Sequence, residues 1–234
     1  MYGFLRDNDD GVALLVAGDL DEATRVLDEL CHRTRSMPSL HSLFVYNRAV
    51  AHLERGELDR AIALFSAVLH AGWIGHRGSL SVYYPAVLAK LAITEALRGQ
   101  LEQADGWRAR AHAATSAPKR GGLLLVDAVV ESRLGHFARV VELVEDGWSR
   151  AENLVTARQL RSIRLMQAYA LERLSTADYR AVSRETDLQR AVQSLRDGKR
   201  GELDFLAVAW DELGAFLRRH RLDGSATVSP NERT

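Results

Sequence analysis

One local pattern recurs four times along the chain and limits what it can fold into. A glycine is followed by a polar residue, a large apolar residue, usually an acid, then any residue, and finally a small apolar one. It reads Gly18-Asp-Leu-Asp-Glu-Ala23, Gly56-Glu-Leu-Asp-Arg-Ala61, Gly99-Gln-Leu-Glu-Gln-Ala104 and Gly135-His-Phe-Ala-Arg-Val140. Each position has a physical job. Glycine ends an incoming helix because it adopts positive φ without a Cβ clash. An acid in the first turn of the next helix suits that helix's dipole. The large apolar residue fills the corner, and the small sixth residue lets two helices approach closely. The intervals between the four glycines are 38, 43 and 36 residues. Recurrence at that period marks a repeat of helical pairs.

The segments between the corners carry apolar residues at helical spacing, such as Val45, Ala49 and Leu53, then Ala61, Leu64, Phe65 and Val68. No stretch alternates strictly enough for a strand, since Ser79–Tyr84 runs into Pro85 and a helical pattern. The whole chain therefore reads as all-α. A degraded fifth pair is expected, with Met166–Leu174 as a first helix and Asp187–Leu195 as a second, separated by the inserted Ser175–Glu185.

On these residues the chain resembles the tetratricopeptide repeat family. The closest unit carries Tyr46, Asn47, Ala49, Gly56, Leu58, Ala61 and Phe65; the third matches through Ala92, Gly99, Leu101 and Ala104, the fourth through Ala128, Gly135 and Phe137. Gly11 supplies the small residue of the first unit. Unit lengths vary and no proline regularly follows each second helix, so related helical-hairpin arrays stay open. The resemblance implies a right-handed solenoid of about five units, near residues 4–35, 40–71, 80–116, 121–149 and 151–196. Residues 201–220 read as one capping helix with Leu203, Leu206, Trp210, Leu213 and Leu217 on one stripe. Residues 223–234 read as a disordered tail.

The first helices of such units line a concave groove. Aligning units two to five on Ala49, Ala92, Ala128 and Ala168 places Val50, Ile93, Val129 and Tyr169 on its central line. One turn earlier lie Tyr46, Ala89, Leu125 and Leu165; one turn later the line opens with Leu53. This stripe is largely apolar. A register off by one would make it core instead. The family's carboxylate-gripping mode needs an Asn where Val50 stands, so its absence is expected. An apolar groove suits an apolar or amphipathic segment, belonging to another protein, to the chain's own terminal helix, or to a second copy.

Little else in the sequence suggests chemistry. Dinucleotide, P-loop, zinc-protease and paired-cysteine motifs are missing, so no catalytic, metal or cofactor residues are assigned. Cys31 is the single cysteine, which forbids an intrachain disulfide and reads as a small core residue. Asp7, Asp9 and Asp10 read as a helix-start signal. With Lys+Arg and Asp+Glu both 31, no basic surplus favours nucleic acid. The longest apolar run, Gly121–Val130, is cut by Asp127 and too short to span a membrane. The first ten residues lack the plan of a secretion signal. The near-absence of Lys, found only at Lys90, Lys119 and Lys199, reads with the high Ala content as the bias of a GC-rich bacterial genome. A cytoplasmic protein is expected.

Two features could add contacts. The long link Gly72–Ser81 places Trp73, His76 and Arg77 together, either as a binding loop or as a helix stop with Trp73 folded onto the corner. Arg158, Arg161 and Arg164 form a basic stripe that would suit a carboxylate-rich partner or a phosphate, or simply be a solvated face. The function these features favour is a non-enzymatic scaffold or adaptor; a peptide- or ligand-sensing module acting on a separate effector is the alternative.

Overall fold

A computed structural model of the chain describes residues 2–75, 77–177 and 182–224. It contains α1 (Tyr2–Ala17), α2 (Leu20–Arg33), α3 (Pro38–Glu54), α4 (Leu58–His70), α5 (Tyr84–Arg98), α6 (Leu101–Ala114), α7 (Leu124–Arg133), α8 (Phe137–Ala151), α9 (Ala157–Ala177), α10 (Val182–Arg196) and α11 (Asp211–Arg219). Short 3-10 turns occupy Ser81–Tyr83, Ala117–Leu123 and Asp204–Ala207, and there is no strand among the described residues. Helices adjacent in sequence pack in pairs, α1 with α2 through α9 with α10. None is long and apolar enough to cross a membrane among the described residues.

The four corners share one backbone geometry. Gly18, Gly56, Gly99 and Gly135 all take positive φ, between 74° and 87°. At Gly56 the glycine N–H donates to Leu53 O (2.9 Å) and the Glu57 N–H reaches back to His52 O (2.9 Å). The same two bonds recur at Gly18, Gly99 and Gly135, satisfying carbonyls that a helix end leaves open. The residue five after each glycine closes the first turn of the next helix and is fully buried: Ala23, Ala61, Ala104 and Val140. A larger side chain there would push the paired helices apart.

The two members of a pair differ in how they are buried. In α8 the covered residues are Val140, Val144, Gly147 and Ala151, a single stripe, whereas in α5 every residue from Leu91 to Leu97 is buried. Helices α3, α5, α7 and α9 each also pack against the next of the set, and α1 against α3. Covered on two sides, they read as nearly continuous apolar runs. At the start of the chain, Gly11 lets α1 sit against Leu27, and the buried Asn8 accepts a 2.7 Å bond from Asn47 of α3. The acidic cluster of α1 does not mark its start. The helix begins at Tyr2, a turn earlier, and Asp7 pairs with Arg33 of α2.

The end of the chain departs from expectation. Residues 201–220 are not one helix: a 3-10 turn at Asp204–Ala207 is followed by a break at Trp210, and α11 starts at Asp211. The apolar stripe is nonetheless buried as a set, including Leu203, Leu206, Trp210, Leu213 and Leu217. The break has a physical reason. It lets the segment turn back over the inner helices, so that Val208 reaches the Gly56 corner and Trp210 packs on Tyr169 of α9. Of the expected tail, residues 225–234 lie outside the described residues.

Two outcomes follow from the corners. A Cβ at Gly135 meets no neighbouring atom, whereas one at Gly56 would lie 2.4 Å from Val208. Gly135→Ala should then cost about 1–2 kcal/mol from positive φ alone, and Gly56→Ala more. Chemical denaturation should show Val208→Ala removing most of that difference. At the same corner, hydrogen bonds from Arg55 hold the Glu57 carboxyl down to about 2, with His52 and Arg60 assisting against partial burial. Its stabilisation is therefore present above the ordinary value of 4.5 and lost as pH falls towards 2. Glu57→Gln should cost about 1 kcal/mol at neutral pH, and thermal melts of mutant and wild type should converge in acid.

Candidate functional site

The inner helices carry the expected stripe, and the structure divides it in two. Tyr46, Val50 and Ala89 are partly exposed, and Ile93 and Leu125 are nearly buried but still border open space. These five line a trough composed of two adjoining cavities, of about 660 and 610 Å³. Leu53 also touches the first cavity, although its side chain is buried. Val129, Leu165 and Tyr169 do not belong to the trough: they are core. For Tyr169 the cover is the returning terminal segment. Trp210 and Phe216 meet the Tyr169 ring edge-on, at 5.3 and 5.8 Å. No partner can touch this half of the stripe while residues 203–217 stay in place.

The first cavity is bounded by α1 (Val12, Leu15), α3 (Tyr46, Val50), the start of α9 and the strap Lys199–Leu206. The second lies between α3, α5, the Ala117–Leu123 turn and α7, and its floor is Ala89, Ile93, Leu125 and Val126. Tyr46, Lys90, Ile93, Leu125 and Gln159 border both. Tyr46 is held there by the rings of Phe65 and Tyr83, about 6 Å away, and burial pushes its hydroxyl up to about 12, so it stays neutral.

Arg158 is the electrostatic centre of the first cavity. It donates to the Glu54 carboxylate, to Leu15 O (3.3 Å) and to Glu202 O (2.9 Å), and lies 5.4 Å over the Phe205 ring. Arg161 pairs with the Glu202 carboxylate at 2.8 Å and donates to Leu195 O. Arg164 donates to Gln167 and stacks 3.9 Å over Trp148. The basic stripe is therefore neither a solvated face nor a set of uncommitted cations. From α9, Arg158 ties the strap to α1 and α3, and Arg161 ties it to the end of α10, tasks suited to a planar, multiply donating guanidinium.

The long link after α4 touches the trough only at its last residue, Ser81, and not through Trp73 or Arg77. Its buried anchor is Ile74, not Trp73, which stays 41% exposed. Arg77 is exposed, and His76 lies outside the described residues. Cys31 is buried, and burial pushes its thiol up to about 11, which leaves it inert.

Lys90 escaped sequence reasoning. Burial holds its ammonium below the ordinary lysine range; the Glu54 charge draws it back up and the Arg158 charge opposes that. Its signal was present in the rarity of lysine, which compositional bias seemed to explain. An acid–base pair elsewhere, His112 Nε2 at 2.8 Å from Asp127, has no hydroxyl or thiol bonded to the His112 ring among the described residues. No group of three or more metal-binding side chains converges among the described residues. No family model, curated protein or solved structure matches the chain.

The latch leads to a stability prediction. Arg158→Met removes three hydrogen bonds and the Phe205 ring contact and leaves Glu54 without its ion-pair partner, so a loss of about 3–5 kcal/mol is expected. Glu54→Gln in the same chain should recover part of that loss. A double-mutant cycle by urea denaturation measures the coupling, and additive losses would show that the pair is not the latch.

Proposed function

We propose that this chain is a non-catalytic binding module, a scaffold or adaptor whose inner trough receives an apolar helix or peptide segment of another protein. One observation carries the reading. The chain's own strap, through Leu206 and Trp210, already lies along one half of the inner apolar stripe. The other half, with Tyr46, Val50 and Ala89, offers the same kind of surface and remains partly open. A face that holds an extended apolar segment of its own chain is chemically suited to hold a second one. Rigid helices on either side have already met the ordering cost on the receptor side.

The repeated corner geometry supports a wider architecture in which the pairs stack as a tetratricopeptide-like solenoid of about five units across residues 4–196. The strap 199–222 then serves as a cover over the inner face rather than a cap on its end. Such a module fits a bacterial cytoplasmic assembly. A second reading is favoured by one feature: two segments far apart in the chain, α1 and Lys199–Leu206, form walls of the same cavity. A ligand bridging them would tighten the whole array, which is what a sensor of a separate effector needs.

Ala89→Trp fills the trough from a partly exposed position. Affinity purification from the native host should recover a partner with the wild-type chain and lose it with Ala89→Trp, while the melting temperature stays close to wild type. A partner retained by the folded variant would place the binding surface elsewhere.

A further inference from the structure

Every ion pair recorded among the described residues is made by arginine or histidine; none involves a lysine. The chain has only three lysines, and all three border the trough: Lys90 at the junction of the cavities, Lys119 on the second and Lys199 on the first. The carboxylates that line the first cavity, Glu54 and Glu202, are already taken by Arg158 and Arg161. No acidic residue lines the second cavity at all.

At the junction two cations, Lys90 and Arg158, act on one carboxylate, Glu54. The Lys90 ammonium has no hydrogen-bond partner of its own among the described residues, and Lys90 shares the border of the two cavities with Tyr46, Ile93, Leu125 and Gln159. A cation in an apolar wall without a full counter-charge is costly, and one further anion there would balance the site. The second cavity, about 610 Å³ and apolar, is of a size that takes a small molecule.

We infer that the second cavity binds a small hydrophobic carboxylate, an acidic amphiphile whose carboxylate pairs with Lys90 and whose apolar body lies on Ala89, Ile93, Leu125 and Val126. Lys119, on the rim, adds attraction during approach. The inference rests on the trough being a binding surface, as proposed above, but gives it a ligand of defined charge that would compete with a protein segment for the same space.

The test uses sodium decanoate and decyltrimethylammonium, both below their micelle concentrations, titrated calorimetrically into the full chain. Decanoate should bind at least about tenfold tighter than the cationic amphiphile, an increment typical of one charge-assisted contact. Lys90→Met should abolish that preference, Lys90→Arg should keep it, and Ala89→Trp should block decanoate altogether. Equal binding of the two amphiphiles to the wild type would overturn the carboxylate assignment while leaving an apolar trough. A preference that survives Lys90→Met would overturn Lys90 as its reader. If Lys90→Met fails to fold, the two amphiphiles compared on the wild type decide the sign of the charge, and Lys90→Gln, which removes the charge but keeps a polar stem, decides the position: a preference that survives it would overturn Lys90 as the reader. Binding of neither amphiphile would overturn the inference alone, because the protein-segment reading is judged separately by whether Ala89→Trp releases the partner.

Discussion

A pair of antiparallel helices has more apolar surface than the two members can hide from water by themselves. Each pair here buries one stripe in its own seam and leaves another that only a neighbour can cover. That constraint accounts for helices α3, α5, α7 and α9 being buried nearly all round along their central turns, while α2 and α8 keep one polar face. It also explains why the corners must be alike. If every pair has to meet the next at a similar angle, the turn that sets the angle cannot vary, and all four glycines share the same φ and the same two backbone bonds. The inner stripe has no next pair to cover it, and the chain supplies a substitute from its own end.

Much of this was legible locally. A glycine at positive φ, a small residue five positions on and an apolar residue between them are short-range requirements, and each left a mark in the sequence at the right place. The alanines that align these helices, Ala49, Ala92, Ala128 and Ala168, are all fully buried. What failed was the inference that a surface-facing line stays at the surface. Val129, Leu165 and Tyr169 fall on the expected groove but are buried, and Tyr169 lies against Trp210, some 40 residues further along. Periodicity reports which face of a helix is apolar, not which distant segment covers it. The 201–220 stripe had the spacing of one helix for the same reason: its two halves keep helical periodicity, although the chain changes direction between them.

Charge was the least legible property. Arg158, Arg161 and Arg164 at intervals of three looked like a face awaiting a partner, because the partner of Arg158 is Glu54, more than a hundred residues earlier. The structure assigns the two kinds of basic residue different work. Arginines, with planar forks, fasten elements across the fold: Arg158 and Arg161 to the strap, Arg133 to Ala96 O, Arg108 to Glu131. Of the lysines, with a single compact charge on a flexible stem, Lys199 also reaches across the fold to Ala17 O, whereas Lys90 and Lys119 are left at the trough.

That division bears on how the binding surface proposed above could coexist with a stable fold. An apolar trough left entirely open would invite collapse or non-specific association. Here the strap closes half of it through apolar contact, and the arginine latch fixes the strap's position by geometry rather than by area. The open half keeps a charge at its floor, and a purely apolar segment entering there would have to bury that charge without a partner. An acidic one would not. The same ammonium thus disfavours indiscriminate hydrophobic contact and favours one class of occupant, and specificity in an otherwise featureless apolar groove needs no more than that single unbalanced group.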